Sequence, residues 1–199
     1  MKYVWLLGAI GFSYILGSIP FGYVVGRLWK GVDVRAKGSG NIGATNVLRV
    51  LGWGPALLVL GCDLGKGALS VYLGMLAYGI RGCALCGAAA AIGGAYSVFL
   101  GFRGGKGIGV GSGIVIAAMP MVAAVLAVVW VGVVWLTRYV SLGSVIVAGL
   151  VPVVAYVLHY PPEYVALAAT VGGLAIIKHY SNIKRLISGT ERKLGEKAE

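Results

Sequence analysis

Long apolar runs alternate with short polar segments along most of the chain. About 20 helical residues cross a hydrocarbon core about 30 Å thick, so the longer runs have the length of a membrane crossing. Runs of this kind cover residues 3–25, 53–78, 83–100, 108–137, 142–158 and 164–177. The run at 108–137 is interrupted by Pro120, a residue that breaks or kinks a helix. The pattern predicts an all-α polytopic membrane protein.

The basic residues predict how the chain is threaded, because Lys and Arg are enriched in cytoplasmic loops. They cluster in the loop at 27–49, at 103–106, at Arg138 and in the tail, leaving Lys2 and Arg81 for the outer side. Arg138 and the 103–106 loop share a side only if the run between them crosses twice, with Pro120 near the outer turn. We therefore expect about seven transmembrane helices, with the N-terminus outside and the C-terminus cytoplasmic.

The composition supports a single integral membrane domain over residues 1–199, of which 178–199 form a polar cytoplasmic tail. Apolar residues make up 59% of the chain and charged residues 12%, against about 25% charged residues in an average soluble domain. The net charge of +11 lies at segment ends and in loops. It does not form a basic face interleaved with aromatic residues, so we expect no nucleic-acid partner. The first run is too long for a signal peptide and is expected to be retained.

The polar stretch at 37–49 is the first candidate site, because its glycines allow several backbone N–H groups to converge on one anion. Its hydroxyl, amide and cationic side chains add further donors. An ordinary polar connector is the alternative. The candidate binding residues are Ser39, Gly40, Asn41, Gly43, Ala44, Thr45, Asn46 and Arg49.

Two further candidates carry charge at or within the apolar runs. Asp63 and Lys66 fall inside a predicted crossing, where ionisable groups are costly unless they are paired or functional; their i, i+3 spacing also permits a purely structural ion pair. The glycine-rich segment with Gly104, Gly105 and Lys106 lacks the spacing and the preceding strand of a nucleotide-binding loop. It retains the ability to capture an anion.

Near the C-terminal end, Ser141 and Ser144 are weaker candidates, since serine in a membrane helix often bonds its own backbone. His179, Asn182 and Arg185 share one helix face at i, i+3, i+6. A basic membrane anchor is the alternative for that face. These candidates all lie at or near the predicted cytoplasmic edge, except that the depth of Asp63 is open. Cations and donors predominate among them, which predicts an anionic partner.

Four motifs in order resemble the bacterial acyl-phosphate:glycerol-3-phosphate acyltransferases of phospholipid synthesis. They are Gly38-Ser39-Gly40-Asn41-Ile42-Gly43-Ala44-Thr45-Asn46, Asp63-Leu64-Gly65-Lys66-Gly67, Phe102-Arg103-Gly104-Gly105-Lys106-Gly107 and His179-Tyr180-Ser181-Asn182-Ile183-Lys184-Arg185-Leu186. The resemblance covers nearly the whole chain. It departs at Gly94, where the family pattern has a histidine, and at Gly109-Val110, where it has Ala-Thr.

The resemblance implies transfer of a fatty acyl group from acyl phosphate to the sn-1 hydroxyl of glycerol 3-phosphate, yielding lysophosphatidic acid and inorganic phosphate. It implies a bacterial cytoplasmic membrane location, no metal and no cofactor. Membrane lipids and the enzyme that makes acyl phosphate are the expected partners. Ser39, Asn41, Lys106 and His179 are the expected catalytic residues.

Two other functions remain open on the residues alone. A transporter for an anionic phosphate-containing solute would also need intramembrane cations, but it would need a polar path to the outer side, where only Arg81, His159 and Glu163 are available. A CDP-alcohol transferase would need an aspartate-rich metal site. The two aspartates, Asp33 and Asp63, are too few for one.

Overall fold

The structure is a computed structural model that describes residues 1–196; residues 197–199, with Lys197 of the predicted basic tail, lie outside the described part. Nine α-helices and no strand occur within residues 1–196, which confirms the predicted all-α class. The helices are α1 (Lys2–Ser18), α2 (Phe21–Lys30), α3 (Ala44–Leu51), α4 (Trp53–Ala95), α5 (Ile108–Ala118), α6 (Pro120–Thr137), α7 (Val140–Val157), α8 (Pro162–Lys178) and α9 (Tyr180–Ile187).

The helix α4 contains two of the predicted crossings, joined at a sharp break. Tyr78 and Gly79 leave helical geometry, and Gly79 has φ +60°. Gly74 and Gly82 then lie so close that a Cβ on either would collide with the carbonyl of the other. Eight residues of straight helix would separate them by about 12 Å. The chain therefore folds back on itself at Gly79, close to the end of the predicted run at 53–78.

The long apolar run at 108–137 divides at Pro120, as the sequence predicts. Met119 separates α5 from α6, and Pro120 occupies the first turn of α6, where its missing N–H costs no hydrogen bond. With 11 residues, α5 is only about 16 Å long. It is thus shorter than the hydrocarbon thickness.

The predicted first crossing is broken in the structure. The pair formed by Tyr3–Ser18 and Phe21–Lys30 bends by 41° at Ile19 and Pro20. Lys66 stabilises the end of α1 at this break, because its Nζ donates to the carbonyls of Gly17 at 3.2 Å and Ile19 at 2.8 Å. The predicted crossing at 3–25 therefore consists of two helices, and the backbone turns where Pro20 lacks an N–H.

Within residues 1–196, three helical segments are long and apolar enough to cross a membrane: Trp53–Leu100, Pro120–Thr137 and Val140–Val157. The bent pair at the N-terminus would make a fourth. The number of seven crossings and the sides on which the termini lie stay predictions.

Candidate active site

One cavity of about 500 Å³ is lined by residues from all the polar segments that the sequence singles out. Its walls come from the break between α1 and α2, the first loop with α3, the start of α4, the 105–110 segment, the α6–α7 turn, His179 and Leu194. Asn41, Lys106 and His179 all face this cavity although they are far apart in sequence. The expected convergence of distant motifs on one pocket is therefore present.

Asn46 holds the first loop in shape through the hydrogen bonds of its side-chain amide. Its side chain is 2% exposed, and its Oδ1 accepts the Ser39 N–H at 2.8 Å. Its Nδ2 donates to the carbonyls of Val34 at 2.9 Å and Asn41 at 2.8 Å. These bonds use the amide fully, so Asn46 shapes the loop and is not free to hold a substrate.

Asn41 and the start of α3 shape the part of the loop that faces the cavity. The Oδ1 of Asn41 accepts the Gly43 N–H at 2.8 Å and closes a tight turn before the helix. Ala44 and Thr45 form the first turn of α3 and line the cavity. First-turn N–H groups have no intrahelical acceptor, so they are available to an anion.

The second loop is anchored to the end of α4 through its glycines. Gly105 donates to the carbonyl of Gly94 at 3.0 Å, and Gly104 to that of Ala95 at 3.2 Å. A Cβ on Gly104 would collide with these same carbonyls, so only glycine permits the approach. At Gly94, the position of the family histidine, a Cβ would lie 3.2 Å from Val110.

Lys106 extends from this loop into the cavity, half-buried and close to two guanidinium groups. Burial lowers the pKa of Lys106 to about 8, and Arg185 and Arg49 act in the same direction while Glu191 opposes them. Burial also lowers the pKa of Arg49 from its usual value. An anionic ligand would relieve both effects, because it stabilises the charged forms.

His179 lies at the end of α8 and is 3% exposed. Its Nδ1 is 2.7 Å from the carbonyl of Ala175, which requires the hydrogen on Nδ1 and leaves Nε2 as an acceptor. Burial lowers the pKa of His179 to about 4, and Lys106 lowers it further against the opposing carbonyl bond. The imidazole is therefore neutral near pH 7.

Asn182 and Arg185 do not line the cavity. They hold the carboxylate of Glu191, with Asn182 Nδ2 on Oε1 and Arg185 Nε on Oε2, both at 2.7 Å. Burial works against ionisation of Glu191, but the nearby Ser141 hydroxyl and these two donors outweigh it and keep its pKa below the usual value. One donor of each side chain is thus engaged by a carboxylate of the chain, and direct contact of Asn182 and Arg185 with substrate stays a prediction.

Lys66 faces the cavity, but its three hydrogens are already used. Besides the two α1 carbonyls, it pairs with Asp63 Oδ1 at 2.8 Å. The predicted clamp on substrate is therefore not supported, and the structural ion pair that the spacing also allowed is the one observed. Close packing keeps the pair enclosed, since a Cβ on Gly109 of α5 would lie 2.7 Å from Cβ of Asp63.

The two serines of α7 differ in what their hydroxyls do. Ser144 Oγ donates to the carbonyl of Val140 at 2.9 Å and lies 3.5 Å from the indole nitrogen of Trp130. Ser141 is 7% exposed, and its Oγ finds no hydrogen-bond partner among residues 1–196. Both line the cavity, and the Ser141 hydroxyl, which lies near the Glu191 carboxylate without a well-formed hydrogen bond to it, is the less engaged of the two.

Part of the cavity lining is apolar. It includes Trp53, Leu57, Leu60, Trp130 and Val134, and the first two are 70% and 59% exposed. In a membrane protein such exposed side chains face lipid. One cavity thus has both cationic and apolar lining, which suits a ligand with an anionic head and a hydrocarbon chain.

Most predicted site residues line the cavity, and four do not: Gly40, Gly104, Asn182 and Arg185. Gly40 has φ +72° and serves a turn in the first loop, and Gly104 anchors the second.

The sequence interpretation missed Glu191, Leu194 and the apolar wall. The sequence does distinguish Leu194, because it is the only large apolar residue in the sequence of 188–199. Among the described residues no cluster of three His, Cys, Asp or Glu side chains is placed to bind a metal.

Comparison with known proteins gives one consistent family. The model of the family described as glycerol-3-phosphate acyltransferase matches residues 7–189. A glycerol-3-phosphate acyltransferase of Syntrophomonas wolfei is 43% identical over 194 residues, covering 98% of this chain and 95% of that protein. One of Moorella thermoacetica, named glycerol-3-phosphate acyltransferase 2, is also 43% identical, covering 98% and 100%.

Two solved structures share the fold closely. The glycerol 3-phosphate form of PlsY, an integral membrane glycerol 3-phosphate acyltransferase, superimposes with a TM-score of 0.91 at 40% identity, covering 96% of both chains. Its lysophosphatidic acid form gives a TM-score of 0.89 at 40% identity. With the apolar helices, this likeness identifies the chain as an integral membrane protein.

Proposed function

The chain belongs to the glycerol-3-phosphate acyltransferase family, and on this premise we propose that it transfers a fatty acyl group from acyl phosphate to the sn-1 hydroxyl of glycerol 3-phosphate. The products are lysophosphatidic acid and inorganic phosphate. The observation that carries the proposal is one cavity lined both by the cations Arg49 and Lys106 and by the apolar side chains of Trp53 and Leu57. PlsY, at 40% identity, has been solved with glycerol 3-phosphate and with lysophosphatidic acid.

Acyl phosphate is already activated, so the reaction needs no covalent acyl-enzyme. The main tasks are to bring two anions together and to stabilise charge on the carbonyl oxygen and the leaving phosphate. Backbone N–H groups of Ala44 and Thr45, with the side chains of Ser39 and Asn41, are placed to hold the acyl phosphate. The acyl chain extends along the apolar wall.

Lys106, Arg49 and Ser141 bind glycerol 3-phosphate in this scheme, with His179 beside them. Neutral His179 offers Nε2 as an acceptor to the glycerol hydroxyl and fixes its direction. Its pKa of about 4 makes it a weak base. A phosphate oxygen, with a second pKa of about 6, is a better final acceptor of the hydroxyl proton.

The same chemistry argues for a cytoplasmic site and against transport. Glycerol 3-phosphate and inorganic phosphate are water-soluble, so the cationic lining must face an aqueous compartment, and the basic loops beside it favour the cytoplasm. The charged residues Arg81 and Glu163, available for a polar path on the other side, bond to each other at 3.4 Å. An enzyme that makes acyl phosphate stays a proposed partner.

The test is an assay of the purified full chain in detergent with palmitoyl phosphate and glycerol 3-phosphate. We expect one inorganic phosphate released per lysophosphatidic acid formed, with palmitoyl-CoA inactive as donor and the acyl group at sn-1 by NMR. Lys106→Ala is expected to raise KM for glycerol 3-phosphate or to lower kcat strongly. Transfer from palmitoyl-CoA alone would overturn the assignment of acyl phosphate as the donor. Unchanged KM and kcat in the Lys106→Ala protein would overturn the assignment of Lys106 to glycerol 3-phosphate binding.

A further inference from the structure

The segment at 188–196, here called the C-terminal strap, contributes Leu194 to the wall of the cavity. It leaves α9 and reaches the turn between α6 and α7, and its Leu194 is part of the cavity wall. Every other residue of 188–196 is polar, charged or glycine. The single apolar side chain is thus the one directed at the cavity.

Arg138 fastens the strap with both its backbone and its side chain. Its carbonyl accepts the Leu194 N–H at 2.7 Å, and its guanidinium donates to the Leu194 carbonyl at 2.9 Å. Arg138 has φ +64°, an uncommon conformation for a residue other than glycine. The side-chain bond gives a reason for arginine at a turn position that favours glycine.

The other end of the strap is held by Glu191 on Asn182 and Arg185. Leu194 therefore lies between two fixed points, three residues from one and bonded to the other. This arrangement holds one apolar side chain in the wall of the cavity that Arg49 and Lys106 also line. Exclusion of water matters for an activated acyl donor.

Water competes with the glycerol hydroxyl for the same carbonyl carbon. In hydrolysis the water oxygen bonds to that carbon, the bond from carbon to the phosphate oxygen breaks, and the water proton leaves. The products are a fatty acid and inorganic phosphate. In transfer the glycerol oxygen takes the place of water. The two reactions differ only in the nucleophile, so their ratio reports how well water is excluded.

We propose that Arg138 is a positioning residue that holds Leu194 over the cavity, so that the C-terminal strap suppresses hydrolysis of the acyl donor. The proposal rests on the proposed function, since it needs an acyl phosphate in the site. It assigns a role in reaction specificity to two residues that lie outside the four sequence motifs.

The experiment supplies the purified full chain with palmitoyl phosphate and glycerol 3-phosphate and measures total phosphate release and lysophosphatidic acid in parallel. Hydrolysis is the phosphate released in excess of lysophosphatidic acid. The key variant is Arg138→Gly, which removes the guanidinium and suits the positive φ. We expect the ratio of hydrolysis to transfer to rise by about threefold or more. Leu194→Ser is expected to act in the same direction, and Arg138→Lys to restore part of the wild-type ratio. Lys184→Ala, which removes an exposed cation stacked on Tyr180, is the control and should leave the ratio unchanged.

Once the phosphate released without protein is subtracted, the ratio separates the proposal from a loss of folded protein, because inactive molecules lower both enzymatic reactions equally. An unchanged ratio in Arg138→Gly and Leu194→Ser, at whatever total activity, overturns the role of the strap. A wild-type protein that does not use palmitoyl phosphate at all overturns the proposed function instead. The two failures are therefore distinguishable.

Discussion

Lys66 caps the end of α1 at Ile19, with its Nζ 2.8 Å from that carbonyl oxygen. The bond connects the middle of one membrane helix to the broken end of another. It ties the second motif of the sequence to the shape of the cavity, and it is the basis of the first prediction.

Lys66→Met is expected to destabilise the protein more than it alters substrate binding. It leaves Asp63 without its partner and two α1 carbonyls without a donor, and breaking a buried ion pair costs about 3–5 kcal/mol. Thermal unfolding in detergent should show a lower Tm, and Asp63→Asn in the same protein should restore part of it. A wild-type Tm with a raised KM for glycerol 3-phosphate would contradict this and return Lys66 to substrate binding.

Two asparagines of the first loop should respond differently to the same change. Asn46→Asp removes the Nδ2 donor that serves the carbonyls of Val34 and Asn41, so we expect a loss of about 2 kcal/mol or more in stability and little activity. Asn41→Asp keeps an oxygen for the Gly43 N–H. It should fold normally and raise KM for the anionic substrates by about tenfold, because it adds a like charge.

Unfolding midpoints and KM values of the two variants provide the check. Each variant is the control for the other, since both exchange an amide for a carboxylate within the same loop. Equal Tm values for the two proteins would show that Asn46 does not organise the loop.

The KM for glycerol 3-phosphate should depend on pH through Lys106. Its pKa of about 8 in the free protein means that the cation is lost above pH 8, so KM should rise by up to about tenfold per pH unit there. Lys106→Arg keeps the charge and should flatten the profile between about pH 8 and 10. A wild-type KM that is constant over that range would contradict the assignment.

The lowered pKa of Lys106 also affects the stability of the protein, which should rise with pH over the range in which substrate binding weakens. The folded protein releases the Lys106 proton near pH 8, whereas the unfolded chain holds it up to about pH 10.5. Because the unfolded state binds more protons in this window, the contribution of Lys106 to stability rises with pH from about 8 to 10.5. Lys106→Met should remove this contribution, as measured by the difference in Tm between the two proteins at several pH values.

Neighbouring glycines of the second motif should differ in their tolerance of a methyl group. A Cβ on Gly67 would approach the backbone nitrogen of Ile114 at 2.7 Å, which would force α4 away from α5. Gly67→Ala should therefore cost about 1–3 kcal/mol. Gly65 has nothing within 4 Å of a Cβ, so Gly65→Ala is the matched control and should be neutral or slightly stabilising. The comparison requires only Tm values, and equal losses would contradict it.

Much of the fold follows from local properties of the sequence. The apolar runs predict the long helices, because no other structure satisfies backbone hydrogen bonds in lipid. Pro120 predicts the break between α5 and α6, since its ring cannot continue a helix. The break at Gly79 was harder to place, because glycine also occurs inside helices of this chain.

The candidate site divides in a similar way. Residue type and motif order predict that the first loop, Lys106 and His179 bind an anionic ligand, because hydrogen-bonding and charged groups near apolar runs are costly unless they are paired or functional. They could not show whether a given donor was free. Lys66 and Asn46 carry the right chemistry for an anion, yet their polar groups are satisfied by other parts of this chain, and Glu191 engages one donor each of Asn182 and Arg185.

That distinction was decided by tertiary structure alone. Hydrogen bonds between Lys66 and the end of α1, or between Arg185 and Glu191, depend on distances in space between segments whose separation the sequence does not encode locally. The place of Leu194 in the cavity wall depends equally on its contact with Arg138, a residue of another helix connection. Sequence alone determined the class of protein and predicts an anionic ligand; the packing of the chain decided which polar side chains are engaged within the protein.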